Sequence, residues 1–198
     1  MTDHYRLKLA ILSLISVCQN FRFISSFFIL ATITFLYLSI YDYCMVIINS
    51  FEEYKSYEGK MVGVSEWHKI DQEQINRFAD ATLDHQWIHV DKDRVQNDGP
   101  FKSTIAHGYL TLSLIPYLWK QIADVRNVKM EINYGIENFK FGQAVPVNSD
   151  VRLEATVKSI TNLRGTIKAV IQAKLVIKGH AKSAYLGDVI FLYHFHKN

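Results

Sequence analysis

The chain has 198 residues, 49% of them apolar and 21% charged, with a formal net charge of +3. That length gives room for one domain with its own core and an appendage, and the composition is that of a globular protein. The charge is small and the lysines and arginines are scattered without a basic stripe, which argues against a nucleic-acid partner while leaving an acidic substrate open. Both cysteines, Cys18 and Cys44, fall in the first quarter of the chain, so the remainder has no disulfide, no thiolate nucleophile and no cysteine-ligated zinc. This fits a reducing compartment, and a cytoplasmic protein is expected.

Residues 1–44 differ from the rest. Phe23–Tyr41 reads FISSFFILATITFLYLSIY without a charge, and its length of about 19 residues is near the minimum for crossing a bilayer. A shorter apolar run, Leu9–Val17, follows Arg6 and Lys8. Three readings compete: a membrane anchor through Phe23–Tyr41, a secretory signal, and AT-rich upstream DNA read through as coding sequence, with Met45 as the initiator. Arg22 interrupts the apolar part and no small-x-small cleavage site precedes the charged region, which disfavours the signal. The bias towards Phe, Ile, Leu, Tyr and Ser favours the misread start. Residues 1–44 are therefore expected to be an apolar extension, and 45–198 the functional domain; membrane contact is expected only if the extension is translated.

Within 45–198 the first expected element is a short amphipathic helix over Ile47–Tyr57, stopped by Gly59. A second helix has a start signal: Asp71 and Gln74 have capping-box spacing, and Ile70 with Ile75 has the spacing of a hydrophobic staple. Ile75, Phe78 and Ala79 share its apolar face, and it runs out near Thr82. His107–Gln121 is a further helix. Leu110, Leu112, Leu114, Ile115, Leu118 and Ile122 surround most of its circumference, which marks burial, and Pro116 should bend or break it. From Lys129 onward, strands are expected at Met130–Tyr134, Asn138–Phe141, Val151–Ile160, Thr166–Ile177 and Ala184–His194, with turns at Asn162–Gly165 and Lys178–His180. Val151, Leu153, Ala155 and Val157 alternate with Arg152, Glu154, Thr156 and Lys158, as in a sheet with one wet face. Strands in tandem without intervening helices pair antiparallel. A buried helix followed by such a meander implies an α+β architecture, with the sheet wrapped on the helix.

The chemistry concentrates in two segments. Ala81–Asp91, ATLDHQWIHVD, holds Asp84, His85, His89 and Asp91 around Trp87 and Ile88. If the loop curls, Asp84 and His89 converge on one small volume. Apolar surroundings raise a carboxylate pKa, and a pair of this kind can hold a water and move its protons in both directions. Taken singly, each residue has a plainer role open to it: Asp84 capping a turn, His89 satisfied in the interior, Trp87 in the core. Gly99–Ser113, GPFKSTIAHGYLTLS, leads through a Gly-Pro turn into His107-Gly108 at a helix start. Backbone N–H groups there lack intrahelical acceptors and carry the positive end of the helix dipole, and glycine lets a ligand approach closely. A carbonyl oxygen that gains charge during reaction suits that position. The plainer alternative is that Gly108 only permits tight packing.

FADATLDHQWIHVD and GPFKSTIAHGYLTLSL together resemble the MaoC-like dehydratases, and within them the NodN-like branch of (R)-specific enoyl-CoA hydratases. The resemblance runs from about Gly59 to the C-terminus. It implies a hotdog fold, in which an antiparallel sheet wraps a long central helix, usually as a homodimer. It also implies that Asp84 and His89 activate water and that the N–H of Gly108 binds the thioester oxygen, with His107, Gln86, Trp87 and Ser113 around the substrate. The expected reaction is reversible addition of water across a trans-2-enoyl-CoA to give the (R)-3-hydroxyacyl-CoA, with an acyl-CoA thioester as partner and neither metal nor organic cofactor. The chain departs from the pattern at Gln86-Trp87, where many relatives have Asn-Pro. It departs again at Pro116, aligned with a serine that some relatives place near the aspartate; Ser113, one turn earlier, is the available substitute. No particular Lys or Arg stands out for the CoA phosphates. Rival readings are a metal hydrolase using Asp84, His85, His89, Asp91 and His107, an acyl-CoA thioesterase of the same fold, and a non-catalytic acyl-binding or signalling module.

Overall fold

The computed structural model describes residues 45–196; the expectations for residues 1–44, including the anchor at Phe23–Tyr41, lie outside it. The first departure comes at once. Val46–Ile48 (β1) is a strand pairing in parallel with Ala123–Val125 (β4), and the expected helix is shortened to Phe51–Ser56 (α1). Ser50 explains the boundary: its side chain accepts from the Glu53 N–H at 3.2 Å, which satisfies a free donor of the first turn and starts the helix there.

The main sheet has the order β2-β6-β7-β8-β5, built from Met61–Val64 (β2), Val128–Phe141 (β5), Ser149–Leu163 (β6), Thr166–Ile177 (β7) and Tyr185–Phe195 (β8); His68–Ile70 (β3) also pairs with β6. All these pairings are antiparallel, as tandem strands require. The two segments expected at Met130–Tyr134 and Asn138–Phe141 are one strand, β5, that keeps its pairing with β8 across register shifts at Asn133/Gly135 and Glu137/Lys140. Asn138, at φ 50°, supplies the left-handed residue at the second shift. β2 and β3 span only four and three residues, too short to show alternation in the sequence.

The alternation in β6 holds. Val151, Leu153, Ala155 and Val157 are buried, as are Ile167, Ala169, Ile171, Ala173 and Leu175 of β7, and this face packs with Leu118, Trp119 and Ile122 in one core. Gln72–Thr82 (α2) begins as its sequence indicates, with the Asp71 carboxylate accepting from the Gln74 N–H at 2.8 Å and Ile70 and Ile75 both buried. Trp87–Val90 (α3) and Lys92–Asp98 (α4) follow. The expected central helix is two, Gly108–Ser113 (α5) and Ile115–Ile122 (α6), with Pro116 in the first turn of the second, where its missing N–H costs no hydrogen bond. Its burial is one-sided: Tyr109 is 68% and Tyr117 54% exposed. The architecture is α+β and of the hotdog kind, an antiparallel sheet packed on the central helices. Among the described residues no helix is long and apolar enough to cross a membrane.

Candidate active site

The end of α2 sets up the first half of the site. Leu83 takes a left-handed conformation (φ 61°) that turns the chain out of the helix, and Asp84 begins the loop that follows. One turn of helix, α3, then carries His89 inward until it is only 6% exposed. Its ring Nδ1–H donates to the carbonyl of Ile105 at 2.7 Å, while the Ile105 N–H donates to the carbonyl of Ile88 at 3.1 Å. The two segments thus hold each other, and a neutral ring with its proton on Nδ1 keeps a lone pair on Nε2. Burial pushes the His89 pKa below the ordinary imidazole value. The nearby His107 pushes in the same direction, and the bond to Ile105 and the charge of Asp84 oppose it.

The second half comes from the segment before α5. Ala106 donates to the Val145 carbonyl at 2.8 Å, which fixes the strand-like step into His107. His107 is 2% exposed; its Nε2–H donates to the main-chain carbonyl of Asp84 at 2.9 Å, and its ring stacks on His89 with centroids 3.7 Å apart. Its Nδ1 is buried without a partner among the described residues. His107 therefore ties the Asp84 loop to the helix start and lies against His89. One ligand-capable atom from each of Asp84, His89 and His107 falls within 4.8 Å of the others.

Gly108 is the first residue of α5, so its N–H has no intrahelical acceptor. A Cβ there would stand 3.0 Å from the ring of Phe141, so tight packing and access to the amide both favour glycine. His89 and Gly108 are among the walls of a cleft of ≈ 290 Å³, with Thr111, Phe141, Gly142 and Ala184; Asp84 and His107 are not.

The remaining candidates are placed differently. The Asp84 carboxylate is exposed and accepts from the Gln86 N–H at 3.4 Å, so its own protomer does not supply the apolar surroundings expected of it. Gln86 is exposed, and Trp87 lies under Arg94, whose guanidinium carbon is 4.6 Å from the ring centroid, rather than among the cleft walls. Ser113 is exposed and its hydroxyl donates to the Tyr109 carbonyl one turn back at 2.7 Å, not to Asp84. His85 pairs with Asp80 at 2.8 Å, and Asp91 caps α4 by accepting from the Arg94 N–H at 2.9 Å. Of the five residues weighed as metal ligands, only Asp84, His89 and His107 converge. Two imidazoles and a carboxylate are ligand types that zinc accepts, and equally a set that can hold one water for proton transfer. Phe141, Gly142, Ala184 and the Ile105 carbonyl escaped the sequence reading, because each is placed by long-range backbone pairing, Phe141 in β5, Gly142 with Ala184 just beyond the strands and Ile105 in a bridge to Pro146, and no local pattern marks it.

The depressed His89 pKa has a stability consequence. The unfolded chain takes up a proton near pH ~6.5, whereas folded His89 resists it, so the unfolded state binds more protons below that pH. Folding stability is therefore expected to decline as pH falls from neutrality through that value towards the folded pKa. Urea midpoints measured against pH should show a steeper acid decline in the wild type than in His89→Gln; parallel curves would contradict it.

Residues 54–179 match the description MaoC like domain. The chain is 45% identical over 136 residues to 3-hydroxyacyl-thioester dehydratase Z of Mycobacterium tuberculosis, covering 68% of this chain and 89% of that protein. It is 44% identical over 95 residues to Nodulation protein N of Rhizobium leguminosarum bv. viciae, covering 48% of this chain and 59% of the other. Among solved structures, the R-hydratase PhaJ1 from Pseudomonas aeruginosa in the unliganded form superposes with a TM-score of 0.57 at 17% identity, over 69% of this chain and 83% of that one. The (R)-hydratase from A. caviae involved in PHA biosynthesis gives 0.55 at 20% identity, over 67% and 95%. These two likenesses concern the fold. From the extent of the family match and the identity to its dehydratase relative, the chain belongs to the MaoC-like dehydratase family, a family of hydro-lyases.

Proposed function

We propose that the protein catalyses the reversible addition of water to a trans-2-enoyl-CoA, giving the (R)-3-hydroxyacyl-CoA, with Asp84 and His89 as the acid–base pair. The observation that supports this reading is the convergence of Asp84 and His89, with the Nε2 of His89 left to accept by the bond from its Nδ1 to Ile105, while Gly108, whose N–H has no intrahelical acceptor, shares a cleft with His89. A carboxylate oxygen of Asp84 and the Nε2 of His89 each accept a hydrogen bond from one water. The Gly108 N–H donates to the thioester oxygen, so C3 becomes electrophilic and the enolate-like charge has a donor waiting for it. The water oxygen bonds to C3 while the pair takes one of its protons; the pair then returns a proton to C2 as the enolate collapses. One water is consumed and the pair ends as it began. The reverse sequence is a dehydration, consistent with the name of the mycobacterial relative. The (R) configuration rests on the motif resemblance.

Two copies of the chain are inferred to act together. β5 is the outer strand of the sheet, with one side unpaired among the described residues, and Met130, Tyr134, Ile136 and Phe141 are exposed along it. A long edge bearing such residues is prone to pairing, and a second β5 laid beside it would cover them. The exposed Tyr109 lies 5.9 Å from Phe141, centroid to centroid, so this surface adjoins the site.

The test uses purified full-length chain with crotonyl-CoA. Loss of the enoyl absorbance with formation of (R)-3-hydroxybutyryl-CoA is expected. Release of free CoA would reject hydration in favour of a thioesterase, and zinc retained at one ion per chain would favour the metal reading. Sedimentation at micromolar concentration should give a dimer; a monomer would reject the pairing.

A further inference from the structure

A second hollow adjoins the cleft. A space of ≈ 670 Å³, walled by Gly142, Gln143, Lys174, Ala181, Lys182 and Ser183, shares Gly142 and Gln143 with the cleft that holds His89 and Gly108. The saddle between them is firmly built. The Gly142 N–H donates to the Ala184 carbonyl at 2.8 Å and the Gln143 N–H to the Ser183 carbonyl at 3.0 Å. A Cβ on Gly142 would come within 2.6 Å of the Ser183 carbonyl oxygen, so no side chain can occupy the crossing.

The two hollows differ in chemistry. The first has Ala106, Phe141, Val145 and Ala184 on its walls, while the second carries two lysines and no carboxylate. An apolar acyl chain would not be drawn to lysines, whereas a phosphate would. The lysines are not equivalent. Lys174 is already engaged by Glu154 at 2.9 Å, and beyond the rim Lys178 faces Asp150 at 3.5 Å. Among the described residues Lys182 has no carboxylate partner, and its side chain is solvent-exposed. His180 contacts the Gln143 side chain at the same rim.

We infer that the hollow beyond Gly142 and Gln143 receives the phosphate of the thioester's carrier, and that Lys182 is its specificity-determining cation, with Lys174 held in check by Glu154. This rests on the thioester reading above. The phosphate could belong to coenzyme A or to phosphopantetheine on a carrier protein, which share this chemistry.

The experiment compares crotonyl-CoA, crotonyl-phosphopantetheine and crotonyl-pantetheine, the last without phosphate. Lys182→Ala is expected to raise KM for crotonyl-CoA about three- to fivefold at low ionic strength, as suits one exposed and screened charge. The difference should shrink at high salt, and crotonyl-pantetheine should be turned over as by the wild type. Glu154→Gln, which frees Lys174, should lower KM for the CoA ester. An equal effect on crotonyl-phosphopantetheine assigns the contact to the phosphate both carriers share, and an effect confined to crotonyl-CoA assigns it to the nucleotide phosphates; either supports the inference. Equal loss on all three esters, or no change with crotonyl-CoA, overturns it. If the wild type hydrates none of them, the hydratase reading falls by itself. Titration with desulfo-CoA then decides the rim: weaker binding by Lys182→Glu supports it, and unchanged binding overturns it.

Discussion

Asp84→Asn and His89→Gln are each expected to lower kcat/KM by about 10²–10⁴-fold, the usual worth of a placed acid or base, while the protein stays folded. Asn keeps the shape of the aspartate and loses only its charge and its capacity to take a proton. The structural bond at that position uses the main-chain carbonyl of Asp84, which accepts from His107, so the substitution leaves it intact. His89 is buried and its Nδ1–H bond to Ile105 is a structural one; the amide of Gln falls near the place of Nε2 and not of Nδ1, so the Ile105 carbonyl loses its donor at a cost of about 1–3 kcal/mol, which an ordinary domain can bear. The double variant should be little worse than the worse single one, because two groups that pass one proton act as a unit. His85→Ala and Asp91→Asn provide the contrast. They sit in the same polar cluster but pair with Asp80 and with the Arg94 amide, so turnover near that of the wild type is expected. Steady-state rates beside circular dichroism and thermal melts settle the matter. Near-normal rates in either Asp84→Asn or His89→Gln would remove the pair from the mechanism.

What the sequence discloses is what depends on near neighbours. Asp71 and Gln74 show a helix start because a cap bond spans three residues, and Val151 to Val157 disclose a half-buried strand because a pleat repeats every two. The segment around Asp84 and His89 is legible for the same reason: both residues sit in one turn of chain, and the motif places His107-Gly108 at a fixed further distance. What escaped is long-range. Ile47 and Ile48 read as the start of a helix, and only the pairing of Val46–Ile48 with Ala123–Val125 makes them a strand. β5 reads as two strands parted by residues 135–137, while its ladder with β8 runs through Gly135, Ile136 and Glu137. Ser113 has the spacing of a site residue, but its hydroxyl finds a nearer acceptor in the turn before it. Trp87 has the apolarity of a pocket wall, yet an arginine seven residues on covers it. In the last two cases the contact that the structure shows is with a local partner.

Trp119 is the strongest case of a residue that only the structure brings forward, and Trp119→Ala is expected to cost about 3–5 kcal/mol of stability, the range for truncating a large buried aromatic. In the sequence the apolar stripe of the central helix is marked by its leucines and isoleucines; Trp119 stands on the same stripe, four residues after Ile115, but its partners are long-range and no local pattern names them. In the fold it is 1% exposed, its Nε1–H donates to the hydroxyl of Tyr193 at 3.0 Å, and its ring stacks with Phe191 of β8. The Tyr193 hydroxyl in turn donates to Glu131 of β5 at 3.3 Å, and the ring of Tyr54 meets Tyr193 edge-on at 5.5 Å. One indole thus joins the central helix to β8, β5 and α1. Truncation removes its packing, leaves a cavity that these rigid rings cannot close, and takes from the Tyr193 oxygen its buried donor. Against a total stability of about 5–15 kcal/mol for an ordinary domain, the loss is large enough to read directly as a fall in the urea midpoint. Trp119→Phe, which keeps most of the volume and gives up the N–H, should lose clearly less, and Lys120→Ala on the exposed side should lose almost nothing. Since Trp119 does not line the cleft, the Ala variant should keep kcat/KM near wild type at temperatures below its transition. A stability change under about 1 kcal/mol would mean that the helix is held by its aliphatic residues alone.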